Sequence, residues 1–173
     1  MADLSQSLKA TLRWEGGYAN HPRDKGGETY RGIARNFHEE WRGWRLIDVL
    51  PKDQLDENDS LQTLVKEFYR SKFWRRIKGD RIEEQPIADA MFDAAVLFGP
   101  GRAIRFAQTV VDVEVDGVIG PITLGALNEE DPEVFIKRMA WERALYHAER
   151  VRDNAGQAVF LVGWLRRAQW FSE

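Results

Sequence analysis

The apolar residues of this chain recur mostly at the spacing of an α-helix. Near the N-terminus, Leu4, Leu8 and Leu12 stand four residues apart, which predicts a helix over residues 3–15. Residues 87–98 are apolar on nearly all sides, which predicts a central buried helix. Further helices are predicted over residues 33–44, 60–74 (with Asp59 or Ser60 as N-cap), 102–111, 122–127, 132–151 and 158–171. The pattern therefore predicts a mainly α fold.

Residues 16–31 break this periodicity, because they are rich in glycine and polar side chains. The segment is too long for a tight turn, so we predict a short β-hairpin or an ordered loop there. Ordered loops of this length often carry function. No convincing alternation of a strand appears elsewhere, and the expected fold class is helical with at most one small β-element.

Composition narrows the class of protein. A chain of 173 residues, 43% hydrophobic and 31% charged, is typical of a soluble globular protein of one domain, or one and a half. The net charge of -3 gives no general attraction to nucleic acid, and none is expected as a partner. No low-complexity tract or linker interrupts the chain, so we expect a monomer with one continuous core.

Metal and membrane sites are not expected either. The chain has no cysteine, and its three histidines are scattered, so no metal site or other cofactor is predicted. No apolar run reaches 18 residues, which argues against stable membrane insertion. The first residues lack the basic and apolar parts of a signal peptide, so synthesis in the cytoplasm is expected.

Glu15 is the leading candidate for chemistry. It closes the first predicted helix beside Leu12 and Trp14, and Gly16 and Gly17 follow it directly. Burial against apolar groups would raise the pKa of a carboxyl there and let it hold a proton for a leaving group. The alternative is a solvated residue at a helix end with an ordinary glycine cap. The residues alone support the two interpretations about equally.

Other motifs favour structural interpretations. The glycine pairs and Gly99-Pro100-Gly101 lack the Gly-Lys-Ser/Thr sequence of a phosphate loop, and no Gly-x-Ser-x-Gly occurs. A basic cluster could bind a polyanion, although a solvated helix face with buried aromatics is favoured. Its members are Lys66, Arg70, Lys72, Arg75, Arg76 and Lys78. Of the seven tryptophans, one or two are expected at a cleft that binds sugar.

Several segments together resemble the glycoside hydrolase family 108 muramidases, which are lysozyme-like enzymes of phages, prophages and bacteria. The matching segments are Glu15-Gly16-Gly17-Tyr18-Ala19-Asn20-His21-Pro22, Asp24, Gly26-Gly27-Glu28-Thr29, Gly32-Ile33, Tyr69-Arg70-Ser71-Lys72-Phe73-Trp74, Phe92-Asp93-Ala94-Ala95-Val96, Asp116-Gly117-Val118-Ile119-Gly120-Pro121-Ile122-Thr123 and Gly163-Trp164-Leu165-Arg166-Arg167. They cover nearly the whole chain in the family's order. One departure is Leu97-Phe98, where the family usually has a polar pair.

The resemblance implies a lysozyme-like helical fold and hydrolysis of the β-1,4 bond of peptidoglycan glycan strands. It places the catalytic acid at Glu15. A second group must activate water or stabilise the oxocarbenium-like transition state. Asp24 and Thr29 are the candidates, since Glu15-x8-Asp24-x4-Thr29 is similar to the Glu-x8-Asp-x5-Thr pattern of phage-type lysozymes, one residue short in the last gap.

The remaining site residues also rest on the resemblance. Tyr30 could replace Thr29, and Glu28 is a further nearby carboxylate; Tyr30, Glu28, Trp74 and Asp93 are expected to bind substrate. For Asp24, an alternative stays open, because residues 22–27 are also typical of a turn.

The resemblance further divides the chain into a catalytic region over residues 1–90 and a helical region over 91–173. The second resembles a peptidoglycan-binding segment and is expected to pack into the same compact domain. A bacteriolytic endolysin would then reach the wall by a holin or a secretion system. Two rival functions are a lytic transglycosylase on the same fold and a non-catalytic wall-binding or secretion accessory protein.

Overall fold

A computed structural model of the protein describes residues 1–21 and 26–170, with the side chain of Trp170 excluded. Its α-helices are α1 (Leu4–Glu15), α2 (Gly43–Ile47), α3 (Asp59–Tyr69), α4 (Gln85–Phe98), α5 (Pro100–Val110), α6 (Pro121–Glu129), α7 (Pro132–Asp153) and α8 (Ala158–Trp170). Its strands are β1 (Tyr18–Ala19), β2 (Thr29–Tyr30) and β3 (Ile33–Ala34). The predicted mainly α class with one small β-element is confirmed.

The three short strands form one antiparallel sheet in the order β1-β2-β3. Tyr18 lies opposite Tyr30, and Tyr30 also lies opposite Ile33. Arg31 and Gly32 connect β2 to β3 with φ angles of 49° and 77°. Positive φ at both positions is the geometry of a tight two-residue hairpin turn, which glycine favours.

The helix predicted over residues 33–44 was largely wrong. Ile33 and Ala34 are strand residues, a short 3₁₀ segment covers Arg35–Phe37, and α2 begins only at Gly43. Pairing with β2 and complete burial of Ile33 override the local aromatic pattern. The N-cap of α3 is Asn58, whose side chain accepts from the Leu61 amide, rather than Asp59 or Ser60.

The predicted central helix is confirmed in α4. Its middle residues are almost all buried, and α1, α5 and α7 pack around it. Helix α3 continues into a π-helical segment, Arg70–Trp74, which carries Trp74 into the same core. The core therefore joins the N-terminal helix and sheet to the C-terminal helices.

Helix α8 packs mainly on α7. Trp164 stacks on His147 of α7, with ring centroids 4.6 Å apart. On its outer side, Val159, Phe160 and Val162 are exposed. Within residues 1–21 and 26–170, no helix is long and apolar enough to cross a membrane.

Candidate active site

The carboxylate of Glu15 lies at the C-terminal end of α1, where Gly16 ends the helix with φ 70°. Its side chain is about one-fifth exposed. The core face of α1, which includes Leu4, Leu8 and Thr11, fixes the helix against its neighbours. Glu15 is therefore presented at the edge of the core, directly before strand β1.

The β2–β3 turn lies against this carboxylate. A Cβ added to Gly32 would lie 2.9 Å from Glu15 Oε2 and 2.8 Å from Tyr69 Oη. The Tyr69 hydroxyl donates to the Arg31 carbonyl at 2.6 Å and so ties the turn to α3. Glycine at position 32 is required both by its positive φ and by this close approach.

A guanidinium from the far end of the chain completes the surroundings of Glu15. Arg167 of α8 donates from Nη2 to Glu15 Oε1 at 2.8 Å. The same group contacts Asp93 of α4, with Nη2 2.8 Å from Oδ1. Asp93 is fully buried and also accepts from Arg143 at 2.6 Å. Glu15, Arg167, Asp93 and Arg143, which we call the ion tetrad, thus alternate in charge across α1, α8, α4 and α7.

The protonation of the neighbouring groups follows from this arrangement. Burial lowers the pKa of Arg167, but Asp93 and then Glu15 raise it by more, so its pKa lies above the ordinary value. Burial lowers the pKa of Arg143, and Asp93 only partly offsets this. Burial and the nearby Glu15 charge raise the pKa of Tyr69. The tyrosine is therefore a neutral hydrogen-bond donor at physiological pH.

The apolar surroundings predicted for Glu15 are only partly present. Trp14 is 41% exposed, and Leu12 is only half-buried. The Arg167 guanidinium pairs with the carboxylate, and the Tyr69 hydroxyl lies on the same side of the Gly32 turn. The role of Glu15 as a proton-holding acid stays a prediction, since its setting is polar as well as apolar.

Glu28 holds the sheet together. It accepts from the Tyr18 hydroxyl at 2.7 Å and pairs with Arg35 at 2.7 Å, and Lys52 lies 3.9 Å away. Its side chain is only 12% exposed. The environment of Glu28 suits a residue that anchors the β-element.

The candidates for the second catalytic role are placed differently. Asp24 lies outside the described residues. Thr29 is half-buried in β2, and its hydroxyl donates to the Gly27 carbonyl at 3.3 Å. Tyr30 is fully buried, where its hydroxyl donates to Asp56 at 2.8 Å. Direct contact of Tyr30 with substrate would require this side chain to leave the core.

Trp74 and Asp93 were predicted to bind substrate, but the structure places them in the core. Both side chains are fully buried. The Trp74 indole donates to Asp80 at 2.8 Å, while the Asp93 carboxylate is engaged by two arginines. Neither offers a surface to a ligand, because hydrophobic packing and ion pairing enclose them.

Sequence reasoning did not assign a role to Arg167, Tyr69 or Gly32. All three fell within segments that carry the family resemblance, but a contact between residues 152 positions apart leaves no local signal. Within the described part of the chain, no cluster of three histidine or acidic residues could hold a metal ion.

Family models and solved structures match this chain. A family model described as glycosyl hydrolase 108 matches residues 8–99, and one described as a predicted peptidoglycan domain matches residues 101–169. The solved structure of Brucella abortus SagA is 27% identical, covers 98% of this chain and 95% of its own, and superposes with a TM-score of 0.66. No curated protein matches the chain. Glu15 lies in the first matched region and Arg167 in the second.

Proposed function

We propose that this chain, which belongs to the glycosyl hydrolase 108 family, is an N-acetylmuramidase. It is a glycoside hydrolase that acts on peptidoglycan. The bond we assign is the β-1,4 linkage from N-acetylmuramic acid to N-acetylglucosamine. The observation that carries the proposal is the Glu15 carboxylate at the end of α1, enclosed by the Gly32 turn and Arg167.

In the proposed reaction, Glu15 gives its proton to the glycosidic oxygen as the bond to the anomeric carbon breaks. The leaving sugar departs with that proton as a hydroxyl group, and water adds to the oxocarbenium-like centre. Water loses a proton in that step, so a second base or stabilising carboxylate is needed. General acid catalysis of this kind contributes about 10²–10⁴-fold.

We assign the second role to Asp24, in the segment that connects β1 to β2. The first support is the sequence spacing between Asp24 and Glu15. The second is that β1 follows α1 directly and pairs with β2, so the segment that contains Asp24 starts and ends at this small sheet. Glu28 is less suited to activate water, because Tyr18 and Arg35 already engage its carboxylate. Thr29 remains available at the start of β2 to orient a water molecule or a sugar hydroxyl.

The test is mass spectrometry of purified peptidoglycan after digestion by the protein and by Glu15→Gln. Glutamine keeps an oxygen that can accept from Arg167, so the variant should fold. We expect fragments with reducing ends from the wild type and at least about a 100-fold loss of activity in the variant. Glu129→Gln is the matched control, since Glu129 is an exposed glutamate at the end of α6.

Each outcome is informative. Anhydro-sugar products would show a lytic transglycosylase instead of a muramidase. Normal activity of folded Glu15→Gln would remove Glu15 from the mechanism. Equal losses in Glu15→Gln and Glu129→Gln would indicate an effect of charge on the fold rather than catalysis.

The proposal includes action on the wall in the periplasm or outside the cell, after release by a holin or a secretion system. Its support is the substrate, because peptidoglycan lies beyond the cytoplasmic membrane. Expression in a bacterial host with and without a co-expressed holin tests it, read out as loss of turbidity. Lysis that depends on the holin is expected; equal lysis without it would argue against this route.

A further inference from the structure

We infer that Arg167 is a positioning residue for Glu15, which makes the last helix part of the catalytic machinery. This inference rests on the proposed function, in which Glu15 is the acid. It assigns a catalytic contribution to the region that matches a peptidoglycan domain, beyond any contact of that region with the wall.

The first support is how firmly Arg167 is held. Its Nε lies 3.2 and 3.3 Å from the two carboxylate oxygens of Asp93, and its Nη2 lies 2.8 Å from Oδ1. A guanidinium that makes several such contacts is fixed in direction as well as in place. The Nη2 group shared with Glu15 is therefore aimed by Asp93.

The second support is burial. The Asp93 side chain is fully buried and that of Arg143 is 1% exposed, while Arg167 is 10% exposed. Charges buried this far persist when each has opposite partners. The ion tetrad contains two cations and two anions, and Glu15 is its one member at the surface. The buried part thus presents a fixed positive group to a carboxylate that substrate can reach.

The third support is the freedom of the Glu15 side chain, which a fixed partner reduces. The residues after it are two glycines, and its side chain has three rotatable bonds. Gly32 and Tyr69 limit it on one side, and Arg167 provides the hydrogen bond that fixes Oε1. A misplacement of about 1 Å in a catalytic group can cost about 100-fold in rate. Fixing this rotamer is therefore worth a large factor.

The experiment measures kcat, KM and Tm for Arg167→Lys and Arg167→Met in the full chain. Lysine keeps the charge, but its single ammonium group cannot bind Asp93 and Glu15 at the same time as the planar guanidinium does. We therefore expect kcat to fall about 10-fold or more with KM nearly unchanged. Arg166→Met is the matched control, because Arg166 is the exposed neighbour on the same helix. It should keep the wild-type kcat, KM and Tm.

For Arg167→Met we expect a lower kcat than for Arg167→Lys, since both the charge and the hydrogen bond to Glu15 are gone. A purely structural arginine would lower the Tm of both variants and leave kcat, assayed well below Tm, at the wild-type value, and this result would overturn the inference. If Arg167→Met does not fold, the kcat and Tm of Arg167→Lys decide the question. Failure of the proposed function is distinguishable, because Glu15→Gln would then be active.

Discussion

The substitution Gly32→Ala tests whether the β2–β3 turn sets the position of the acid. At this residue φ is +77°, and the new methyl group would meet Glu15 Oε2 at 2.9 Å and Tyr69 Oη at 2.8 Å. Real contacts of carbon with oxygen are longer, so one or both side chains must move. Tyr69 is held in the core and bonded to Arg31, whereas the partly exposed Glu15 side chain can turn towards solvent once its hydrogen bond to Arg167 breaks.

Two separate costs follow. Alanine in the left-handed region costs about 1–2 kcal/mol of stability. In a chain of this length, each kcal/mol lowers the Tm by about 2–4 °C. Displacement of the Glu15 carboxylate adds little to that loss, because water at this edge of the core can replace its hydrogen bond to Arg167. It should instead lower kcat by about 100-fold, the cost of misplacing a catalytic group by about 1 Å.

Gly99→Ala separates the two costs. Gly99 has φ 84° and ψ 151°, where a side chain is strained by about 1–3 kcal/mol, yet an added Cβ there meets nothing within 4 Å. Both variants are assayed on purified peptidoglycan well below their Tm values, which are measured by circular dichroism. Gly99→Ala should lose at least as much Tm and keep its turnover. If Gly32→Ala also keeps wild-type turnover, the turn does not position Glu15.

Two further predictions concern the loop and the C-terminal helices. Asp24→Asn should lose turnover and still pellet with insoluble peptidoglycan. Glu28→Gln should instead have a lower Tm, because Glu28 anchors Tyr18 and Arg35. If Glu28→Gln is stable but inactive and Asp24→Asn has normal activity, the two roles are exchanged. Burial, and then the charges of Arg143 and Arg150, lower the pKa of His147 to about 4. As the pH drops, the unfolded chain therefore binds a proton at this histidine before the folded chain does. The free energy of unfolding should fall between about pH 6.5 and about pH 4. The loss is at most about 3 kcal/mol, and urea titrations should show a flatter pH dependence for His147→Gln.

The sequence predicted the elements that local pattern controls. Helical spacing found α1, α3 and α5, which each bury one apolar face, and α4, which is buried nearly all round. The sequence also predicted α7 and α8, although several apolar residues of α8 are exposed. It failed at Ile33, where pairing with Tyr30 makes a strand inside a run that looked helical. Strand pairs of two residues have no period to detect, so tertiary contacts decide them.

In the candidate site, too, local features could be predicted and long-range contacts could not. Glu15 could be proposed from the sequence, because it and the glycines that end its helix are neighbours in the chain. Asp93 lies in a motif that carries the family resemblance, and it was predicted to bind substrate. Sequence alone does not show that this carboxylate is buried. Its partners Arg143 and Arg167 lie 50 and 74 residues away. Long-range charge pairing of this kind becomes visible only in three dimensions.

The ion tetrad also bears on how the two matched regions relate. A detachable wall-binding module would share few contacts with its catalytic partner, and its interface would resemble a transient one. Here α4 carries Asp93 within the first region, and the second region supplies both arginines that neutralise it. Removal of those arginines would leave a fully buried carboxylate without a counter-charge, which costs about 3–5 kcal/mol where one partner of a buried pair is lost. The first matched region therefore depends on the C-terminal helices both for the counter-charges of Asp93 and for the guanidinium beside Glu15.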